Sequence, residues 1–239
     1  MTRAGGNFNA YIGKPVPQSV ISALNVPNSL SNRIGAGTVS FLPFNNSINS
    51  PPLVNGSKPE VLYIGAEYCP YCAATRWGMI IALSRFGSFS NLHYMASNVS
   101  DGDTPTFTFY NSTYTSSYIS FISVETTTRS RFQPLQNPTS FQNTIFSTFN
   151  PSGGIPFVDF GNVSILAGSP ILPELFQGYN WTSIIASLNN TNSSISQSIV
   201  GSANAFTAEI CRITKYTPSS VCSQPYVASI LRAMGVTGA

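Results

Sequence analysis

The stretch from Glu60 to Phe86 constrains this chain more than any other part of it. Glu60-Val-Leu-Tyr-Ile-Gly65 is a short apolar run closed by glycine, the pattern of a buried strand. Ala66-Glu-Tyr-Cys-Pro-Tyr-Cys72 is a turn, and Pro70 stands where a helix tolerates proline, in its first turn. The pattern therefore predicts an amphipathic helix from Ala73 to about Phe86. His93 to Ser97 reads as the next strand and would complete a βαβ crossover. A chain built on that unit belongs to the α/β class.

The turn also carries chemistry. A Cys-x-x-Cys that follows a strand and opens a helix is the thioredoxin-type context rather than a bare motif. Unpaired backbone N–H groups and the helix dipole stabilise a thiolate there, so the first thiol is expected below the free value of about 8.5. Cys69, nearer the exposed turn, would attack a substrate disulfide. Cys72, one turn further in, would resolve the mixed disulfide.

On these residues the sequence resembles the thioredoxin superfamily, over roughly residues 58–190. Ala66 to Cys72 is similar to the active-site turn of thioredoxins, and Pro70-Tyr71 is the dipeptide typical of glutaredoxins. Gly154-Ile155-Pro156-Phe157, with a tight turn at Gly161-Asn162, resembles the family's cis-proline loop. The resemblance implies a thioredoxin-like fold with a central mixed sheet and a cis Ile155–Pro156 bond. It also implies catalytic roles for Cys69, Cys72 and Pro156. Tyr68, Tyr71, Ile155 and Phe157 would form the substrate-binding rim, against ordinary packing around the turn. Two departures stand out. Tyr63 occupies the position of the family's buried proton-managing Asp, and Tyr68 replaces its Trp. Proton transfer from Cys72 would then need water or Glu67, which otherwise reads as a solvated turn residue. The whole chain is further similar to a family of archaeal, mainly Sulfolobales-type, secreted or surface proteins classed as a domain of unknown function.

Composition narrows the setting. Only 8% of the 239 residues are charged, against 42% hydrophobic and 12% aromatic, which excludes disorder driven by charge. The net charge of +3 is spread thinly, so nucleic acid is not an expected partner. With few titratable groups, stability should depend weakly on acid. Asn-x-Ser/Thr sequons at Asn45, Asn55, Asn98, Asn111, Asn162, Asn180, Asn189 and Asn192 suit a glycosylated extracellular or cell-surface protein, or follow from composition alone. Met1-Thr-Arg-Ala-Gly-Gly lacks the apolar core of a signal peptide, so either the export signal lies outside these residues or the protein is not exported. The longest apolar run, near Trp77 to Leu83, is shorter than a membrane span.

Along the chain, residues 1–57 read as an N-terminal extension with a mobile lead-in to residue 14, a short helix after Pro17 and a loop from Asn45 to Pro59. Residues 58–190 read as the thioredoxin-like core with an inserted hairpin formed by Thr106–Tyr110 and Tyr118–Thr126. Within the core, a helix over Pro138–Phe149 ends at Gly153-Gly154, strands flank Gly161-Asn162, and Trp181–Leu188 is helical. Residues 191–239 read as a C-terminal helical hairpin, Ser194–Ile213 and Tyr226–Met234.

Cys211 and Cys222 bracket the link between those two helices, which suits a structural disulfide worth about 3 kcal/mol. A second redox pair is the alternative, and zinc suits the spacing poorly. No metal or cofactor is expected. His93 is the one histidine, and its place in the fold argues against a Cys–His pair. Neither a P-loop nor a Gly-x-Ser-x-Gly elbow is present. The expected function is a thiol–disulfide oxidoreductase acting on protein thiols or disulfides. The alternative is a non-enzymatic surface glycoprotein or assembly subunit, with Cys69–Cys72 as a structural bond. Oligomeric state is left open by the sequence.

Overall fold

The computed structural model describes residues 8–39, 44–45, 50–131 and 133–236. Pro17 and Pro27, with φ fixed near −60°, deliver the chain into α1 (Gln18–Ala23) and α2 (Asn28–Ile34). There follow β1 (Phe44–Asn45), β2 (Val54–Asn55), β3 (Lys58–Gly65) and α3 (Pro70–Ser84). Four short strands come next: β4 (Gly87–Ser90), β5 (His93–Ala96), β6 (Pro105–Thr108) and β7 (Thr113–Ser116). They precede β8 (Ser120–Glu125) and α4 (Ser140–Phe149). The chain continues through β9 (Phe157–Phe160), β10 (Ser164–Ala167), α5 (Trp181–Leu188), α6 (Ser194–Ile213), α7 (Ser219–Cys222) and α8 (Pro225–Ala233).

The fold is mixed α/β, and β3 is its central strand. It pairs in parallel with β8, Gly65 opposite Glu125, and antiparallel with β9, Ile64 opposite Phe157. β10 and then β1 extend the sheet beyond β9, while β2 folds back on the start of β3. Gly161 and Asn162, both at positive φ, turn β9 into β10. That is the backbone a tight hairpin needs to match strand twist.

The strand that returns from α3 differs from expectation. β5 does not join β3; it pairs antiparallel with β6 in a two-stranded sheet of its own. The crossover closes instead at β8. Alternation identifies a strand but not its partner, and here the outer edge of β5 is claimed by the N-terminal segment. Val16 N–H donates to Leu92 O at 2.8 Å and Tyr94 N–H to Lys14 O at 3.0 Å. Residues 8–14 are accordingly no mobile lead-in: Tyr11 packs its ring against Tyr94 and Trp181, and residues 1–7 lie outside the described residues. The inserted hairpin is also corrected, because β6 pairs with β5, β7 with β4, and β8 with β3.

α3 is not amphipathic in place. Every residue from Cys72 to Leu83 is buried, Arg76 included, because α6, β4 and β6 pack on the helix and the β3 residues Val61 and Tyr63 share its core cluster. Gly78 makes the approach possible: a Cβ there would meet Phe206 at 3.0 Å and Ser202 at 3.2 Å. One apolar cluster on this side joins Leu24 and Leu30, Trp77 and Ile80, Phe107, Phe160, Phe206 and Leu231. A smaller one on the opposite face of the sheet joins Leu62, Ile64, Ile145, Phe157 and Ile165.

α4 opens with a capping box between Thr139 and Gln142. It stops at Asn150, whose ψ of 64° leaves the helix, so Gly153-Gly154 follow the cap rather than form it. Cys211 and Cys222 are joined in a disulfide that ties α6 to α7. Among the described residues no helix is long and apolar enough to cross a membrane.

Several sequon nitrogens are already used. Asn55 Nδ2 donates to Ser120 Oγ, Asn98 Nδ2 to Arg129 O and Asn162 Nδ2 to Pro51 O. Asn180 is only half-buried and caps α5 through its side-chain oxygen. Asn111, Asn189 and Asn192 are exposed, and the side chain of Asn45 lies outside the described residues.

Candidate functional site

Strand β3 ends at Gly65, and Ala66 to Tyr68 carry the chain to the N-terminus of α3, where Cys69 is the N-cap and Pro70 the first helical residue. The cap is made by sulfur. Cys72 N–H donates to Cys69 Sγ at 3.2 Å, satisfying one of the orphan donors of the first turn. On its other side the Cys69 thiol donates to Ile155 O at 3.7 Å. The Ile155–Pro156 peptide that presents this carbonyl is cis, and Pro156 O is held by Gly168 N–H at 2.8 Å. Two loops far apart in sequence thus meet at one sulfur.

The cysteines differ in access and acidity. Cys69 keeps 5% of its surface exposed and Cys72 none. The Cys69 thiol is lowered to about 7, chiefly by a hydrogen bond from the Cys72 side chain. Burial opposes that effect, and the Cys72 N–H, the Arg76 charge and the Tyr71 N–H reinforce it. Burial, the hydrogen bond with Cys69 and its charge push Cys72 well above the ordinary value, against the pull of Arg76. One thiol ionises readily and keeps a small exposed edge; the other is fully buried and held neutral.

Beneath the turn lies a buried ion pair that the sequence reading missed. Arg76 Nε and Nη2 bind the two carboxylate oxygens of Glu125 at 2.8 and 2.7 Å, and Nη2 also donates to Ala66 O at 2.8 Å. Both side chains are fully buried. A signal was present: Arg76 is the one charge inside the apolar stretch from Ala73 to Leu83, four residues after Cys72 and so on the same helix face. Tyr63 is also fully buried, its ring 5.9 Å from the Arg76 guanidinium, and burial raises its phenol well above 10.

Glu67 is no solvated turn residue. It is 5% exposed, accepts a hydrogen bond from Thr108 Oγ1 at 2.8 Å, and its carboxyl is raised by burial. It lines an open cleft of about 490 Å³ with Met95, Asn98, Val99, Arg129 and Gln133. The charges acting on it are those of Glu125 and Arg76.

The expected rim is only partly gathered. Tyr71 is 44% exposed, Tyr68 is half-buried under the Arg131 guanidinium at 4.7 Å, and Ile155 packs against the cysteine cluster. Phe157 is not part of it. Its ring is fully buried on β9 and meets Phe146 edge-on at 5.3 Å, because its side chain lies on the face of the sheet that α4 covers. His93 sits at the start of β5 opposite Thr108, whereas the far end of that strand leads to Asn98, whose N–H binds Tyr68 O at 2.9 Å. Among the described residues no group of three or more His, Cys, Asp or Glu could hold a metal ion.

Residues 45–153 match the sequence pattern of a family described as a domain of unknown function, DUF929. The match spans Cys69 and Cys72 and ends just before Ile155–Pro156. Comparison with curated proteins and with solved structures found no match.

Proposed function

We propose that this chain is a thiol–disulfide oxidoreductase-like protein of thioredoxin-like fold, acting at the cell surface or outside the cell on protein thiols and disulfides. The observation that carries the reading is the setting of Cys69: an N-cap sulfur with a lowered pKa, one turn from a buried partner thiol, facing a cis-proline loop. The order of elements supports it too. A central strand, the Cys-x-x-Cys helix, a parallel return strand and an antiparallel hairpin after the cis-proline follow one another in the order the resemblance implies.

In the proposed reaction the Cys69 thiolate attacks one sulfur of a substrate disulfide. A Cys69–substrate bond forms, and the other substrate sulfur leaves with the electron pair and takes up a proton. Cys72 then attacks Cys69, forming the Cys69–Cys72 disulfide and releasing the second substrate thiol. Substrate is oxidised and the pair reduced when the steps run in reverse. Pro156 shapes the groove, and Tyr68, Tyr71 and Ile155 are its exposed or half-exposed edge.

The near-complete burial of Cys69 favours a second reading, in which the pair is a structural bond in a non-enzymatic surface protein. One experiment separates them. Wild type should reduce a model protein disulfide, Cys69→Ser should be inactive, and Cys72→Ser should accumulate a mixed disulfide through Cys69. Activity that survives Cys69→Ser, or its absence from wild type across pH 4–9, would sink the enzyme reading.

A further inference from the structure

The buried Arg76–Glu125 pair is more than a brace. Three of its features point at the cysteines. Arg76 lies one helical turn beyond Cys72, and its Nη2 holds the carbonyl of Ala66, the residue that packs against both Cys69 and Cys72. Glu125 consumes Nε and Nη2. The third guanidinium nitrogen, Nη1, is fully buried with no hydrogen-bond partner, an arrangement that normally costs free energy. Tyr63 Oη, whose ring lies near the same guanidinium, is likewise buried and unpartnered.

We infer that Arg76 is a positioning residue for the resolving step, anchored by Glu125 so that its uncommitted N–H group and its charge favour the Cys72 thiolate. This rests on the oxidoreductase reading. During resolution Cys72 gives up its proton and its sulfur attacks Cys69 of the mixed disulfide. The Cys69–Cys72 bond forms, the Cys69–substrate bond breaks, and the departing substrate sulfur accepts the proton. Negative charge therefore develops on a fully buried sulfur, where a fixed cation is most effective. Tyr63 cannot supply a carboxylate for this step, so the chain relies on a cation reached from the helix.

The charged and titratable groups around the pair are few. Tyr63 faces it from β3, Glu67 from the turn, Glu125 from β8 and Arg76 from α3. Tyr68, with Arg131 and Asp101, lies on the outer side of Cys69. Arg76 is the one cation among the largest influences on Cys72, and Glu125 is not among them. Neutralising Glu125 alone should therefore leave the field of Arg76 at Cys72 in place, and neutralising both should abolish it.

The test compares wild type with Glu125→Gln, the double variant Arg76→Met/Glu125→Gln and Arg76→Lys, each checked for a cooperative melt. Replacing both partners of a buried pair is better tolerated than removing one, so the double variant guards against loss of fold. Two quantities are read: the pH midpoint of Cys69 alkylation by iodoacetamide, and the equilibrium of the cysteine pair with reduced and oxidised glutathione. Glu125→Gln, which keeps an acceptor for Arg76, should leave both quantities within about threefold of wild type. The double variant, which removes the cation, should raise the Cys69 midpoint and make the pair less oxidising, each by about tenfold, and Arg76→Lys should stay within about threefold of wild type. A double variant within twofold of wild type, or a Glu125→Gln shift as large as that of the double variant, would overturn the inference. Should wild type fail to turn over any protein disulfide, the oxidoreductase reading falls, while the alkylation midpoints still decide whether Arg76 sets thiol charge.

Discussion

The backbone N–H of Cys72 donates to the sulfur of Cys69 across 3.2 Å. Two cysteines three residues apart are thereby made unlike: the helix N-terminus serves the first sulfur, while the second is carried inside by the same turn. Proline between them keeps that turn helical without needing a donor of its own. The asymmetry of the site is thus written into one helical turn.

Because the Cys72 thiol is the largest influence lowering Cys69, Cys72→Ala should raise the midpoint of Cys69 alkylation above about 7. The shift should stop short of a free thiol, since the backbone N–H and Arg76 remain. Alkylation rates across pH 5–10, followed by mass spectrometry, measure it.

Scarce charge predicts a flat response of stability to pH, and buried carboxyls contradict it. Burial lifts Asp159 from 3.8 to about 7, and Glu60, Glu67 and Glu209 are raised for the same reason. A carboxyl raised in the folded state binds more protons there, so stability is greatest below the unfolded pKa and falls as pH climbs toward the folded one. For Asp159 that window runs from about pH 4 to 7 and amounts to at most about 4 kcal/mol. Wild type should melt higher at pH 4 than at pH 8. Asp159→Asn, which retains an acceptor for the Asn162 N–H, should flatten the slope and be the more stable form at pH 8.

Replacing Cys211 and Cys222 by serine should lower stability by about 3 kcal/mol, the value for so short a loop, and leave disulfide exchange intact. Denaturant melts and an exchange assay on the same sample check both halves. Loss of exchange in a folded variant would make this bond part of the redox chemistry.

Glu67→Gln should keep exchange within about twofold of wild type. Neither cysteine counts Glu67 among its main influences, and the carboxyl is engaged by Thr108. A loss of tenfold or more, with a changed pH profile, would instead make Glu67 the proton acceptor for Cys72.

The strand, turn and helix around Cys69 were legible because each is specified locally: an apolar run, a proline at the first helical turn, a glycine at a hairpin. The cis Ile155–Pro156 neighbour was legible only through resemblance, since nothing local marks its isomer. Partner choice was not legible. His93–Ala96 reads as a strand in any context, but the N-terminal Lys14–Val16 segment that takes its edge lies far off in sequence. The Arg76–Glu125 pair was hidden for the same reason: Arg76 stands out as the one charge in an apolar stretch, but nothing local names Glu125, 49 residues on, as its partner. Phe157 and Glu67 were misplaced because exposure of a turn depends on what covers it: Phe146 in one case, and Thr108 with the Arg129 segment in the other.

Cysteine-resolved alkylation of the reduced protein distinguishes a reactive Cys69 beside an inert Cys72 from two equivalent buried thiols. Brief iodoacetamide pulses between pH 4 and 10, with peptide mapping, report which thiol reacts and at what midpoint. Cys69 should be labelled first, with a midpoint near 7, while Cys72 stays unlabelled in the folded protein. Labelling of Cys72 before or alongside Cys69, or a Cys69 midpoint at 9 or above, would contradict this.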